Sequence, residues 1–159
     1  MKRTRRTTLR VQPALAALAF AALGAVAGSV AAQAIEFRSA GGSTLVREQP
    51  SPEGHALFRL RPGTPVEVVV RQGGWVRVRD PEGGLAWIEA SALNNRRTVI
   101  VTAERAIVRR QPQDAALPSF EATRQVVLEL LQPAEAGWAR VRHAEGFEGY
   151  VRASEVWGL

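Results

Sequence analysis

The sequence predicts an all-β protein in which two small barrels stand in tandem behind an N-terminal export signal. Three observations predict this arrangement. The chain opens with a basic segment followed by an apolar one, a series of short motifs then occurs twice, and each copy alternates β-rich runs with Gly or Pro turns. The predicted boundaries are 1–34 for the signal peptide, 35–95 for the first domain and 96–159 for the second.

The first 34 residues have the order of a secretory signal. Residues 1–12 are basic and polar, residues 14–30 are apolar and rich in alanine, and AQA at 32–34 suits a signal peptidase. We therefore expect cleavage after Ala34 and a periplasmic protein. The alternative is a retained anchor, since about 20 apolar residues can span a bilayer. TRRTTL at residues 4–9 also resembles a twin-arginine signal, with an ordinary basic start as the alternative.

The charge of the chain is concentrated in this signal. The formal net charge is +6, but five basic residues lie in the first ten positions and no acid precedes Glu36. The segment after Ala34 keeps 16 basic and 15 acidic residues. A nearly neutral protein has little electrostatic attraction to phosphates, so we expect no nucleic-acid partner. We also expect no membrane association once the signal is removed.

An internal repeat organises the remaining sequence. VREQP at 46–50 recurs as VRRQP at 108–112, and VEVV at 66–69 recurs as LELL at 128–131, each 62 positions later. The later blocks recur 63 positions on: GWVRVR at 74–79 as GWARVR at 137–142, WI at 87–88 as YV at 150–151, and AS at 90–91 as AS at 153–154. We place the one-residue slip in the turn before the tryptophan, where an insertion is tolerated.

The first unit divides into about five short strands. Strands are predicted at residues 43–47, 56–60, 66–71, 75–79 and 85–88, and residues 91–93 form a closing turn. The prolines at 50 and 52 end the first strand in an irregular loop, and Pro62-Gly63 and Gly73-Gly74 mark turns. Residues 75–79 alternate, so Val76 and Val78 face one side of the sheet while Trp75, Arg77 and Arg79 face the other.

The second unit follows the same plan with two differences. Residues 99–102 predict an added first strand, and EATR at 121–124 has helix propensity where the first unit has its Pro-Gly turn. The register of the repeat still favours a turn followed by a strand over 119–131. The linker at 94–97 is short and polar, so we expect the two barrels to touch, with Trp157 packed at their junction.

The pattern resembles the bacterial SH3-like domain family over residues 35–159. A Val-Arg strand, a proline loop, a Val-Glu-Val strand, Gly-Trp-x-Arg-Val and Gly-x-x-Trp-Ile carry the resemblance. Members usually have Asn-x-Arg-x-Gly-Pro in the first loop, whereas this chain lacks the asparagine and the glycine there. The tandem pair also resembles an exported two-domain family of alphaproteobacteria, in the RRT junction at 96–98 and the VWG ending at 156–158. The resemblance implies two tandem SH3-like barrels in a cell-envelope protein.

The sequence offers no set of residues suited to catalysis or to a metal. No cysteine occurs anywhere in the chain, which excludes disulfides, thiolate metal sites and a cysteine nucleophile. His55 and His143 do not correspond across the repeat, and two histidines in separate units do not supply three or four ligands. Ser91 and Ser154 do correspond, and we interpret them as caps of a turn. We expect no enzyme activity, no cofactor and no metal.

Aromatic and arginine residues are the remaining candidates for a binding site. Trp75 and Arg77 share a strand face, as do Trp138 and Arg140, and such pairs stack on peptides or sugars. The alternative is that each tryptophan covers its own barrel with arginine stems packed along it. Arg47 and Arg109 flank the proline loops, either as solvated surface or as contacts for a peptide carboxylate.

The remaining aromatic residues, Trp87 and Tyr150, lie on the last long strand of each unit. We predict core packing for them, with the Tyr150 hydroxyl kept in water.

Two functions are consistent with these features. The first is a non-catalytic module of the cell envelope that binds the stem peptide of peptidoglycan, or a similar extended peptide, in a shallow aromatic groove. The second is a periplasmic scaffold that binds another protein. An accessory domain of an enzyme is a weaker third possibility, because no catalytic domain is recognised in this sequence. Paired modules increase avidity in the first two cases.

Overall fold

The structure is a computed structural model that describes residues 34–159. The predicted signal peptide covers residues 1–34, and all of it except Ala34, together with its two alternatives, lies outside the described residues. No helix within the described range is long and apolar enough to cross a bilayer.

The first module is one antiparallel sheet of seven strands. These are β1 Glu36–Ala40, β2 Thr44–Arg47, β3 Ala56–Leu60, β4 Pro65–Gln72, β5 Trp75–Arg79, β6 Leu85–Glu89 and β7 Leu93–Asn94, with a 3-10 turn at Ala90–Ala92 before β7. The hydrogen-bonded order is β3-β2-β6-β5-β4-β1-β7.

The second module repeats this sheet strand for strand. Its strands are β8 Thr98–Val101, β9 Arg105–Arg109, β10 Pro118–Thr123, β11 Val127–Glu135, β12 Trp138–Arg142, β13 Glu148–Arg152 and β14 Val156–Trp157, with a 3-10 turn at Ala153–Glu155. The order is β10-β9-β13-β12-β11-β8-β14, which is the first order shifted by seven strands. The all-β fold in two tandem units is therefore confirmed.

Each sheet encloses its own apolar core. In the second module all seven strands contribute buried side chains to a single cluster, so the sheet is rolled around that cluster. The first module buries the equivalent set from β1 to β6 and packs Leu93 of β7 against it. The alternation predicted for β5 is observed, with Val76 and Val78 at 0% and 2% exposure and Arg77 exposed. In each module the first and last strands of the order remain edges.

The number of strands and the role of two serines differ from the prediction. We predicted about five strands in each unit, and the structure has seven. The strand β1 was missed because Glu36–Ala40 becomes a strand only by pairing with β4 and β7, which the local pattern does not show. Ser91 and Ser154 lie within the 3-10 turns, and neither turn has a side-chain cap hydrogen bond.

The one-residue slip of the repeat lies inside a strand, which corrects the predicted position. Both turns have two residues, since Gln72 pairs with Trp75 and Glu135 pairs with Trp138. The extra residue is accommodated in β11, whose register shifts a second time between Gln132 and Glu135. A β-bulge absorbs an additional residue by bending one strand, so the turn length is unchanged.

The ambiguous segment of the second module forms a turn and a strand, as the register of the repeat predicts. Gln125 stands where the first module has Gly63, and both adopt a positive φ, 67° and 79°. Glutamine reaches this left-handed conformation at a steric cost that glycine avoids. The helix propensity of residues 121–124 is therefore overridden by strand pairing between β9 and β10.

The two modules are in contact, as the short linker predicts. Ring centroids of Phe37 in the first module and Trp157 in the second lie 4.9 Å apart with the rings edge to face, which confirms the predicted place of Trp157. The hydroxyl of Thr98 donates to the carbonyl oxygen of Gly63 at 2.6 Å. The buried hydroxyls of Ser39 and Thr98 lie 2.8 Å apart.

Candidate functional site

The outer face of the first sheet carries a row of two arginines with a tryptophan between them. Arg77 on β5 is directly opposite Trp87 on β6, and Trp87 is opposite Arg47 on β2. Residues opposite each other in antiparallel strands point to the same side of the sheet. Arg47 and Arg77 were both candidates from the sequence. The pairing of their strands with β6 places them on one face, at either side of Trp87.

The second sheet has the same row at the equivalent positions. Arg140 on β12 is opposite Tyr150 on β13, and Tyr150 is opposite Arg109 on β9. Both modules therefore display arginine, an aromatic ring and arginine in line across three strands.

The position of Trp87 and Tyr150 corrects the sequence prediction that they pack in the cores. Both are half-buried on the outer face, and neither belongs to a core cluster. Register explains the difference, because Ala86 and Ile88 are opposite the inward-facing Val78 and Val76. With those two residues inside, the intervening Trp87 must point outward. The alternation of β5, continued across its hairpin, was the signal that could have shown this.

Arg47 and Arg109 each hold the loop that follows their strand. Nη1 of Arg47 donates to the carbonyl oxygen of Gly54 at 2.6 Å, and Nη1 of Arg109 donates to that of Ala116 at 2.8 Å. Both side chains are half-buried, so neither is simply solvated surface. A guanidinium has five N–H donors, so each retains donors for a ligand. The carboxylate contact predicted from the sequence stays a prediction.

Arg77 and Arg140 occupy equivalent positions but differ in their partners. Nη2 of Arg140 donates to Oε2 of Glu148 at 2.9 Å. Leu85 is at the corresponding place in the first module, and Arg77 is exposed with no hydrogen bond or ion pair to any residue in 34–159. Of these two arginines, only Arg77 presents a charge that no residue in 34–159 compensates.

The tryptophans that begin β5 and β12 lie on the same face as these rows, two residues before Arg77 and Arg140. Trp75 is half-buried and Trp138 is 8% exposed, and neither belongs to a core cluster. The guanidinium of Arg152 lies 4.8 Å from the centre of the Trp138 ring. This stacking fits the alternative in which arginine covers the tryptophan, although the arginine comes from β13 and is not Arg140.

An open groove adjoins each tryptophan. The groove in the first module has a volume of about 530 Å³, and Trp75 and Arg47 line it together with Arg59 and Glu89. The groove in the second module, about 720 Å³, is lined by Trp138, Arg140, Tyr150 and the bulged end of β11. The extra residue of β11 therefore borders the second groove. The tryptophan is the one equivalent position that the two grooves share, so they lie on different sides of it.

An arginine and a glutamate form an ion pair at the module junction. Nε and Nη2 of Arg96 donate to the carboxylate of Glu129 at 3.0 and 2.9 Å. Hydrogen bonding from Arg96 keeps the pKa of Glu129 below its usual value. This pair joins the linker to β11, so we assign it a structural role.

The described residues contain no group of three or more potential metal ligands from His, Asp and Glu. His55 is exposed in a loop, and the ring of His143 lies 5.8 Å from that of Phe120. The two histidines thus have no common neighbourhood. The expected lack of enzyme activity stays a prediction.

Comparisons with known proteins identify a family for most of the described chain. The sequence model of the family described as bacterial SH3 domain matches residues 41–95 and again residues 102–158. The two matches lie in the two sheets and agree with the resemblance found in the sequence. The alphaproteobacterial resemblance stays a prediction. No curated protein matches the chain.

Solved structures of low identity resemble the chain. NlpC2 from Trichomonas vaginalis is 17% identical with a TM-score of 0.37, and the match covers 79% of this chain and 48% of that one. NlpC1 from the same organism is 16% identical, with a TM-score of 0.36 and coverage of 80% and 47%. An NlpC/P60 family protein from Bacillus cereus is 18% identical, with a TM-score of 0.33 and coverage of 77% and 56%. The chain spans about half the length of these proteins.

Proposed function

This chain belongs to the bacterial SH3 domain family, and on that premise we propose that it is a non-catalytic binding protein of the bacterial cell envelope. Its ligand is the stem peptide of peptidoglycan or a similar extended peptide, held on the outer faces of the two sheets. The observation that carries the proposal is the row of arginine, aromatic ring and arginine at equivalent positions in both modules.

The chemistry of this row suits an extended peptide. A flat aromatic ring between two arginines offers an apolar surface for a peptide backbone, with guanidinium groups at either side for carboxylates. The arginines of the first row differ in availability, since Arg77 has no partner in 34–159 whereas Arg47 also holds its loop. Peptides with free carboxylates are therefore favoured over neutral polymers.

Duplication supports a polymeric ligand. Two weak sites in fixed relation bind a repeating polymer more tightly than either site alone, provided that both can be reached at once. The contact between Phe37 and Trp157 joins the two modules, so the spacing between the rows does not depend on a flexible linker. Export to the periplasm, expected from the sequence, would place the protein beside such a polymer.

Co-sedimentation with purified sacculi tests the proposal. Residues 34–159 include both sheets and both cores, and we expect them to pellet with sacculi at physiological salt. Trp75→Ala, Trp138→Ala and Trp87→Ala should each weaken binding about fivefold, which corresponds to about 1 kcal/mol. The proposal is wrong if the unmodified protein remains in the supernatant.

A matched pair of arginine variants controls for net charge. Arg77→Ala removes the unpaired charge of the first row and should weaken sacculus binding. Arg105→Ala makes the same change at an exposed position on β9, where the side chain faces Glu121 at 3.5 Å, and should leave binding unaltered. Equal loss in both variants would indicate non-specific electrostatic attraction and contradict the proposal.

A scaffold that binds another periplasmic protein is the second candidate. It is favoured by β3, an edge strand on which Leu57 and Phe58 are 46% and 45% exposed. Edge strands with exposed apolar side chains can pair with a strand of a partner. Recovery of one stoichiometric partner from periplasmic extract, together with no sacculus binding, would favour the scaffold. Loss of that partner in Phe58→Asp would locate its site on β3.

A further inference from the structure

The residue opposite the groove tryptophan changes the sign of its charge between the modules. Trp75 is paired across the sheet with Glu89, and the equivalent Trp138 is paired with Arg152. The two tryptophans, the two strands and the strand order are otherwise equivalent. The position opposite the tryptophan therefore carries a negative charge in the first module and a positive charge in the second.

In the second module the tryptophan already holds a cation. The guanidinium of Arg152 lies 4.8 Å from the centre of the Trp138 ring, and it forms an ion pair with Asp114. A cation within about 6 Å of an indole ring is attracted by the electron density on its face. Trp138 is 8% exposed, so its ring is largely covered. The geometry at this position thus suits a positive group held between an indole and a carboxylate.

In the first module a carboxylate, that of Glu89, stands opposite the tryptophan at the position that Arg152 holds in the second module. No cationic side chain in 34–159 stacks on Trp75, which remains half-exposed, and Glu89 is exposed with no basic partner in that range. The hydroxyl of Ser91 donates to Oε2 of Glu89 at 3.5 Å. Trp75 and Glu89 both line the groove of about 530 Å³.

The remaining charges of this groove are positive. Arg47 and Arg59 line it as well, and each has one N–H engaged by a carbonyl oxygen, of Gly54 at 2.6 Å and of Ser43 at 3.3 Å. The groove therefore combines one carboxylate beside an indole with two guanidinium groups. Charge complementarity favours a ligand with an ammonium group and a carboxylate, and disfavours a purely cationic or purely anionic one.

We propose that the groove of the first module binds the primary ammonium group of an amino acid or peptide between the Glu89 carboxylate and the Trp75 ring, with the ligand carboxylate directed to Arg47 and Arg59. The second module does not bind this group, because it has Arg152 at the position of Glu89 and the guanidinium of Arg152 already lies over the Trp138 ring. The inference rests on the proposed function, since it names the chemistry recognised on one of the same faces. The sites of the two modules thus have different ligand requirements.

Binding of two lysine derivatives to residues 34–159 tests this inference. Nα-acetyl-lysine carries the ammonium and the carboxylate, whereas Nα,Nε-diacetyl-lysine has lost only the ammonium. We expect Nα-acetyl-lysine to shift the indole N–H signal of Trp75 in a nitrogen–proton NMR spectrum and to leave that of Trp138 in place. The diacetylated probe should bind about tenfold more weakly or not at all. Equal shifts with both probes would overturn the inference.

Variants at β6 give a second, independent readout. Glu89→Gln should weaken binding of Nα-acetyl-lysine about tenfold, since it removes the carboxylate that faces the ammonium. Glu89→Arg copies the second module and should abolish binding. Glu82→Gln makes the same charge change at an exposed position of the β5–β6 hairpin and should bind like the unmodified protein. Unchanged affinity in Glu89→Arg, with an unaltered spectrum elsewhere, would contradict the inference.

Sacculus binding separates this inference from the proposed function. Sedimentation with sacculi together with equal affinity for both lysine probes would leave the proposed function standing and reject the ammonium site. Glu89-dependent binding of Nα-acetyl-lysine without sacculus binding would support the ammonium site and reject peptidoglycan as the ligand.

Discussion

Trp157 in β14 meets Phe37 in β1 edge to face, with ring planes at 86° and centroids 4.9 Å apart. The two rings belong to different modules, so their contact joins two sheets that share no strand. The guanidinium of Arg97, from the linker, lies 5.8 Å from the centre of the Phe37 ring. The modules are therefore expected to unfold as a coupled pair.

Trp157→Ala should uncouple the modules. Loss of the indole removes the aromatic contact with Phe37 and should lower the free energy of unfolding by about 2–4 kcal/mol. Urea denaturation should change from one transition to two. Trp87→Ala, which truncates a half-buried tryptophan on the outer face, should cost about 1 kcal/mol and keep one transition. Equal effects of the two variants would show that Trp157 does not hold the junction.

Thr98→Val should destabilise the junction through unmet hydrogen bonds. The variant removes the hydroxyl that donates to the carbonyl oxygen of Gly63 at 2.6 Å. It also removes the oxygen that lies 2.8 Å from the buried hydroxyl of Ser39. Unsatisfied buried polar groups cost about 1–3 kcal/mol, which a urea titration would measure. Thr123→Val, at an exposed strand position, should change stability by less than about 0.5 kcal/mol. An equally small change in the unfolding free energy of Thr98→Val would show that the Thr98 hydroxyl does not stabilise the junction.

Gln125→Gly should stabilise the protein. Gln125 has a φ of 67° in a turn where the first module uses glycine, and a side chain in that region carries a steric cost of about 1 kcal/mol. The thermal midpoint should therefore rise. Gly63→Ala tests the converse, since its added Cβ would meet Val127 at an ordinary 3.4 Å and only the φ of 79° is unfavourable. A midpoint that falls in Gln125→Gly would contradict the prediction.

Arg47→Ala should loosen the loop between β2 and β3. Nη1 of Arg47 donates to the carbonyl oxygen of Gly54, which is a buried residue. Without this bond, amide hydrogen exchange in residues 48–54 should accelerate, and stability should fall by about 1–2 kcal/mol. Arg77→Ala, on the same face and with no partner among residues 34–159, should change neither. Identical exchange in the two variants would mean that Arg47 does not support the loop.

Acidification should weaken the link between the linker and β11. Hydrogen bonding from Arg96 lowers the pKa of Glu129, so its stabilising effect is present above the usual value of 4.5 and is lost as the pH falls through the lower folded-state pKa. Because the pair is partly exposed, the effect should be below about 1 kcal/mol. Glu129→Gln should flatten the dependence of the unfolding free energy on pH in this range, whereas Glu104→Gln, at a side chain that is 88% exposed, should not.

Several strands were predictable because their signals are local. β3 and β5 have the predicted bounds, since short runs with apolar residues between turns need little information from elsewhere in the chain. β1 and β7 were not predictable, because Glu36–Ala40 and Leu93–Asn94 pair with each other across residues far apart in sequence. Short strands of this kind are stabilised by their neighbours and not by their own propensity.

The candidate site was predictable in composition and not in arrangement. Arg47 and Arg77 were selected from their strands, and the outward direction of Arg77 follows from the alternation of β5. The position of Trp87 between them depends on the pairing of β5 with β6. The size and hydrophobicity of the tryptophan side chain had led to the incorrect prediction that it faces the core. The approach of Arg152 to Trp138 depends in the same way on the pairing of β12 with β13.

The sequence by itself determined the duplication, the all-β class, the near-neutral charge after residue 34 and the identity of the arginine and tryptophan candidates, because each of these is a property of composition or of spacing along the chain. The tertiary structure alone decided which side chains share a face, that Glu89 and Arg152 oppose equivalent tryptophans, and that an extra residue bends β11 beside the second groove. The physical reason is register: a shift of one residue in strand pairing reverses the direction of every side chain, and only contacts across the whole sheet fix it.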